Sequence, residues 1–207
     1  MLASADFLLV GLGNPGPEYE LTRHNFGFML VDSLREILNP AGSFRYDGNL
    51  RAEIAVVELA GCSLGLVKPQ TFMNRSGETV AAMVDQSGLA TEQVLVAHDD
   101  LDLSLGRIKL KKRGGSGGHN GVGSIIEKLG SDLFWRLRLG IGRPERGEDP
   151  VAFVLAPFVN DELTVVSGVL ARARQGLELF LSEGAVTAMN FLNRPWPLEE
   201  ELPAGSE

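Results

Sequence analysis

The chain has 207 residues, 44% hydrophobic and 22% charged, with a formal net charge of −8; this is ordinary usage for one compact domain with a substantial core. No uncharged apolar run is long enough to span a bilayer, and no Lys or Arg precedes the first apolar stretch, so neither a membrane span nor a secretory signal is expected and the cytoplasm is the expected compartment. Cys62, the single cysteine, excludes an internal disulfide and a thiolate metal cluster.

In chain order, residues 7–12 read as a buried strand running into Gly11-Leu12-Gly13-Asn14-Pro15-Gly16. A helix is predicted from about Asn25 to Leu38, with Phe26, Leu30, Leu34, Ile37 and Leu38 on one face and Asn39-Pro40 as its stop. Residues 51–58 alternate, with Ala52, Ile54 and Val56 on one side, and 63–67 is short and apolar, which together predict a hairpin across Gly61-Cys62. Ser76 is expected to cap a helix carrying Val80, Met83 and Val84 that Gly88 ends. Val94–Ala97 reads as a buried strand. Arg107–Lys112 reads as a strand with Ile108 and Leu110 on one side and basic residues on the other. A glycine loop, Gly114–Gly118, leads into a helix near 120–129, followed by an alternating strand over Trp135–Ile141 and helices over about Asn160–Ser182 and Ala185–Leu192. The stretch from Trp196 is acidic, contains proline and is expected to fray. Strands alternating with helices predict an α/β fold, a single three-layer domain with a mixed, mostly parallel twisted sheet flanked by helices.

Gly11 to Gly16 spells G-x-G-x-x-G after a strand, the pattern of a dinucleotide-binding turn. Its context argues otherwise. Such a turn needs the helix to begin inside the motif so that its N-terminus faces the pyrophosphate, whereas Pro15 and Pro17 flank the last glycine and the helix starts near Asn25. Asp32 and Glu36, the acids at the ribose spacing, fall inside the helix, and no Lys follows Gly16 to make a phosphate-binding loop. The glycines are expected instead to turn the strand end sharply and present Asn14.

Charge is segregated. Between Arg107 and Arg146 ten Lys or Arg face three acids, a local +7 that leaves −15 for the rest of the chain. One positive face on an acidic protein suits a polyanionic partner; a charge run alone is more often a solvated hairpin.

The three histidines each end an apolar element in a polar segment: TRHN (His24), AHDDLDL (His98) and GGSGGHNG (His119). Strand C-terminal ends are where an α/β fold places its working groups, and Asp99 or Asp100 could orient a histidine as a base. No serine sits in a G-x-S-x-G turn and Cys62 has no histidine nearby in sequence, which leaves water as the nucleophile. A metal-dependent hydrolase using Asp99, Asp100 and Asp102 is the competing reading, without paired-ligand spacing to support it. Asn74 also reads as a turn residue before Ser76, and Asn120 as a helix N-cap.

Taken together, GLGNPGPEYELTRHNFGF (11–28), KPQTFMNRSG (68–77), AHDDLDLSLGRIKLKKRGGSGGHNG (97–121), RLRLGIGRP (136–144) and FVLAPF (153–158) resemble bacterial peptidyl-tRNA hydrolases, in order, from residue 7 to about 194. Ser104 stands where that family usually has proline, a difference in loop rigidity. The resemblance implies hydrolysis of the ester joining a peptide to the 3′ ribose of tRNA by a monomer that takes no cofactor or metal, within a catalytic domain over 1–194 followed by an acidic tail, 195–207. It implies His24 as the general base, Asp99 as the carboxylate orienting it, and Asn14 with Asn74 positioning water or substrate. Asn120 would hold the peptide or the water, His119 would line the groove for the 3′ end, and Tyr19 and Phe72 would contact substrate. Lys111 and Arg138 would clamp tRNA phosphate from within the +7 segment, and His98 would be structural. The alternative carried beside it is a non-catalytic RNA-binding relative.

Overall fold

A computed structural model describes residues 5–195. Its centre is a run of short, continuously apolar strands, the pattern of strands covered on both faces. In β1 (Phe7–Gly11), Leu9 enters one core while Leu8 and Val10 enter the other. The remaining strands are β2 (Arg45–Asp47), β3 (Ala52–Leu59), β4 (Cys62–Pro69), β5 (Val94–Asp100), β6 (Ile108–Lys112) and β7 (Trp135–Gly140). They form one sheet in the order β2-β3-β4-β1-β5-β7-β6. The four central strands, β4-β1-β5-β7, run parallel, and antiparallel pairs close both edges.

One face is covered by α1 (Phe26–Leu38), α5 (Asn160–Ser182) and α6 (Ala185–Leu192), and the other by α2 (Ser76–Ser87) and α3 (Asn120–Leu129). This gives three layers of α/β structure. A short helix, α4 (Pro150–Leu155), bridges β7 and α5.

The predicted elements form, with local differences: the β3–β4 turn is Ala60-Gly61, with Cys62 already paired to Leu59 in the sheet, and β5 runs three residues past Ala97. Ile37 is 57% exposed, and Val31 packs with Phe26, Leu30 and Leu34 in its stead. In β3 both sides are buried: Ala52 and Ile54 join one core while Ala55, Val57 and Leu59 join the other. Ser76 does not cap α2; it is the first helical residue, preceded by a tight turn over Met73–Arg75, and its hydroxyl donates to the Met73 carbonyl at 2.9 Å. Gly88 ends α2 in the left-handed conformation, φ 71°. Apolar periodicity predicts neither β2 nor α4. β2 is three residues long, and α4 is a six-residue apolar run whose start, Asp149 accepting from Val151 N–H with Pro150 next, is the N-cap signal that marks it. The acidic segment from Trp196 lies outside the described residues.

The glycines at 11 and 27 serve close approach. A Cβ on Gly27 would lie 2.3 Å from the Ala97 carbonyl oxygen and 2.4 Å from Leu12 N, and one on Gly11 would lie 2.3 Å from the Gly27 carbonyl oxygen. The first turn of α1 therefore sits directly on the backbone where β1 and β5 end. This approach brings residues 23–27 to the C-terminal end of β5.

Candidate active site

Between β1 and α1 the chain makes two tight turns, Pro17–Tyr19 and Arg23–Asn25. The helix N-terminus thus stands ten residues beyond the glycine motif, which removes the geometry a dinucleotide turn requires. The Arg23–Asn25 turn carries His24, 9% exposed, and β5 delivers Asp99, 2% exposed, next to it. His24 Nδ1 lies 2.9 Å from Asp99 Oδ1 and 3.0 Å from Oδ2.

Asp99 has a second imidazole partner, since His119 Nε2 lies 2.9 Å from Oδ1. The other nitrogen of that ring accepts from the N–H groups of Gly121 (3.1 Å) and Val122 (3.3 Å), which makes His119, not Asn120, the N-cap of α3. A nitrogen accepting from two backbone amides carries no hydrogen, so the hydrogen that His119 donates to Asp99 sits on Nε2. Burial works against the charge of Asp99, but electrostatic attraction to His119 and the hydrogen bonds from His119 and His24 outweigh it and hold the carboxyl well below the usual carboxylate range. An ionised Asp99 accepts from His24 Nδ1–H, and Nε2 is left as the nitrogen of His24 able to take a proton.

His24, Asp99, His119 and Asn120 line one cavity of about 160 Å³, together with Leu101, Asp102, the glycine loop and the α4 residues Pro150, Val151 and Val154. Sequence reasoning missed the α4 wall. Asn14 does not line this cavity but is tied to the His24 turn through Asn25; its Oδ1 accepts from Met73 N–H at 2.9 Å, so the NH₂ end is the one it presents. Asn25 holds the Asn14 backbone from both sides, at 2.8 and 3.0 Å. Asn14 faces a neighbouring cleft with Asn25, Lys68 and Gln70. Asn74 is exposed on the turn next to Met73, Phe72 is 59% exposed before it, and Tyr19 is half-buried on the preceding loop; none of the three lines the His24 cavity.

The basic segment divides by partner. Arg136 is buried and donates to the carbonyls of Gly114, Phe134 and Asp132, so it anchors the glycine loop. Arg138 is held by Asp100 at 2.5 Å. Burial opposes the charge of Asp100, yet this guanidinium and the Asp102 N–H keep its carboxyl below the ordinary range. Arg138, Arg136, exposed Lys111, Asp100, His98 and Ser116 line a separate pocket of about 230 Å³. His98 is buried, donates Nδ1–H to the Asp99 carbonyl at 2.7 Å and packs edge-on against His119; burial pushes it down to about 3.

The three aspartates do not converge: Asp99 meets two histidines, Asp100 meets Arg138 and Asp102 meets Arg143. Among the described residues, His24, Asp99 and His119 are the group that could gather round a metal ion, and an ion there would have to displace both N–H···O bonds.

Known proteins share this arrangement of sequence and fold. The profile of the family described as peptidyl-tRNA hydrolase matches residues 8–200. A peptidyl-tRNA hydrolase of Synechococcus sp. (strain JA-3-3Ab) is 48% identical over 188 residues, 90% of this chain and 82% of that protein. One of Aquifex aeolicus is 44% identical over 187 residues, 90% of this chain and 96% of that protein. The crystal structure of peptidyl-tRNA hydrolase from Acinetobacter baumannii superposes with a TM-score of 0.85 at 36% identity, covering 92% of this chain and 95% of that one. With matches spanning nearly the whole described fold, the chain belongs to the peptidyl-tRNA hydrolase family.

Proposed function

We propose that this protein hydrolyses the ester between a peptide and the 3′ ribose of tRNA, with water as the nucleophile and His24 as the general base. The observation that carries this reading is the buried Asp99 carboxylate accepting from His24 Nδ1, which commits that nitrogen as a donor and frees Nε2. Water attacking the ester carbonyl gives its proton to Nε2, while Asp99 orients the ring and stabilises the imidazolium. A tetrahedral oxyanion forms. Asn14, whose amide is turned NH₂-outward by Met73 N–H, and Asn120 at the cavity wall supply neutral N–H donors for it or for the peptide amide. Collapse expels the ribose oxygen, which takes the proton back from His24. An ester is activated enough that one base and a few donors suffice, and a positioned base contributes roughly 10²–10⁴-fold.

The pocket shared by Lys111 and Arg138 receives tRNA phosphate, and Tyr19, Phe72 and Asn74 bound the groove that leads the acceptor arm and 3′ end to His24. His119 acts there through Asp99, because both of its nitrogens are engaged inside the protein. The enzyme works as a monomer in the cytoplasm; no helix among the described residues is long and apolar enough to cross a membrane.

Incubating the protein with N-acetylaminoacyl-tRNA and following release of the acetylated amino acid tests the proposal. The wild type should turn over and His24→Ala should be nearly inactive while still folded and still binding tRNA. Turnover by His24→Ala within a few-fold of wild type would remove His24 from the reaction, and a wild type that only binds would mark a non-catalytic relative.

A further inference from the structure

Next to His24 in sequence stands an arginine that the catalytic reading does not use. Arg23 is 7% exposed, in a turn, and its partners lie more than 130 residues away. Its Nη1 donates to the carbonyls of Pro157 (2.8 Å) and Ala156 (3.3 Å), and its Nη2 donates to both oxygens of Glu162 in the first turn of α5, at 3.0 and 2.8 Å. The guanidinium lies over the ring of Phe153, in α4, with its carbon 4.6 Å from the centroid, and 5.4 Å from that of Phe158. The backbone repeats the link: Arg23 N–H donates to the Ala156 carbonyl, Phe158 N–H donates to the Leu21 carbonyl, and Thr22 bridges Pro157.

We propose that Arg23 is a positioning residue that holds the His24 turn and the α4 wall of the cavity as one body. The reading rests on the hydrolytic function proposed above. α4 supplies Pro150, Val151 and Val154 to the cavity in which His24 and Asp99 stand. Six residues are too few to hold a helix in place by their own hydrogen bonds. One face of α4 is therefore set by what Phe153 rests on, the Arg23 guanidinium together with the edge of the core. The same guanidinium fixes the turn whose next residue must keep its imidazole 2.9 Å from Asp99. A planar guanidinium that donates from Nη1 to the carbonyls and from Nη2 to Glu162 while lying over the Phe153 ring does all three at once, which lysine cannot reproduce. The wall that receives substrate and the base that activates water thus keep a common geometry.

The test compares Arg23→Gln, Arg23→Lys and Glu162→Gln with wild type, well below each variant's Tm, reading kcat and KM on N-acetylaminoacyl-tRNA and the His24 Nδ1–H resonance by NMR. Arg23→Gln should lower kcat by about 10²-fold, the usual result of misplacing a catalytic group by an ångström or so, with KM moving much less. The His24 Nδ1–H signal should broaden or shift, Arg23→Lys should recover part of kcat, and Glu162→Gln should fall between. Arg174→Gln, which breaks an ion pair to Glu178 elsewhere on α5, should leave kcat unchanged. A folded Arg23→Gln with wild-type kcat and an unmoved His24 resonance would overturn the proposal. Should that variant not fold, Glu162→Gln and Phe153→Leu loosen the same anchor from its far side, and wild-type values in both would overturn it equally. If the wild type itself proves inactive on this substrate, the hydrolytic reading falls, and the His24 resonance alone still decides whether Arg23 positions the turn.

Discussion

Asp99→Asn is expected to harm the enzyme more than removing the side chain altogether. In the native site Oδ1 accepts from both His24 and His119, and Oδ2 lies 3.0 Å from His24 Nδ1. Asparagine offers one acceptor and one NH₂ group in the same outline. His119 cannot change tautomer without losing its bonds from the Gly121 and Val122 amides, so the asparagine oxygen must take the Oδ1 place and accept from His119. The NH₂ then occupies the Oδ2 place, facing His24 Nδ1. That NH₂, 3.0 Å from Nδ1, repels its hydrogen, while the oxygen 2.9 Å away is now neutral and already shared with His119, so the relief is for His24 to move its hydrogen to Nε2, which removes the lone pair that should receive the proton of water. Where an Asp→Asn change fixes a catalytic histidine in the wrong tautomer, kcat falls by about 10⁴, or about 5.5 kcal/mol of barrier. Asp99→Ala leaves His24 free to adopt either tautomer and should retain more activity despite the missing carboxylate. Single-turnover hydrolysis of N-acetylaminoacyl-tRNA at saturating enzyme gives the chemical step directly, and imidazole ¹⁵N shifts report the tautomer. Asp99→Asn within tenfold of wild type, or faster than Asp99→Ala, would refute the tautomer argument.

Lys111→Ala and Arg138→Ala should raise KM for full-length substrate and reduce the slope of log binding against log salt by roughly 0.7–0.9 for each phosphate no longer bound; equal effects on a minimal peptidyl-nucleotide ester would assign these residues to the fold or the chemistry. Folding should weaken on acidification because of His98. Held near 3 in the folded protein against 6.5 ordinarily, it stays neutral while the unfolded chain takes up a proton, so stability is full above about pH 6.5 and declines toward pH 3. The slope is up to about 1.4 kcal/mol per pH unit; urea midpoints between pH 7 and pH 4 should change less steeply in His98→Asn, and identical slopes would contradict the assignment. Asp99, held low, adds to the same decline only below about pH 4. Gly27→Ala should lower stability by about 1–3 kcal/mol or more, since the new methyl would meet backbone atoms at 2.3 and 2.4 Å that cannot give way. It should also depress kcat in the protein that remains folded, by lifting the His24 turn off β5; thermal melting and kcat at low temperature check both effects.

Much of this protein is local information. The strands read at 7–12 and 94–97, the helices near 160–182 and 185–192 and the basic face of β6 follow from apolar periodicity, because side chains that alternate or recur along one element report which way it faces, whereas the continuation of β5 through His98 to Asp100 does not. The same local view carries His24 and Asp99 to strand and helix ends. It cannot show that they touch, since a 2.9 Å approach across 75 residues depends on two glycines letting α1 settle on the β1 and β5 backbone. Nor can it show that Arg136 is spent on the carbonyls around the glycine loop while Arg138 pairs with Asp100, for a sequence counts charges without their partners. The tautomer of His119, the amide orientation of Asn14 and the anchoring of α4 by Arg23 are likewise decided only in three dimensions. Each depends on which backbone N–H or carbonyl lies opposite a side chain, and those groups are the same in nearly every residue and invisible in the order of the letters.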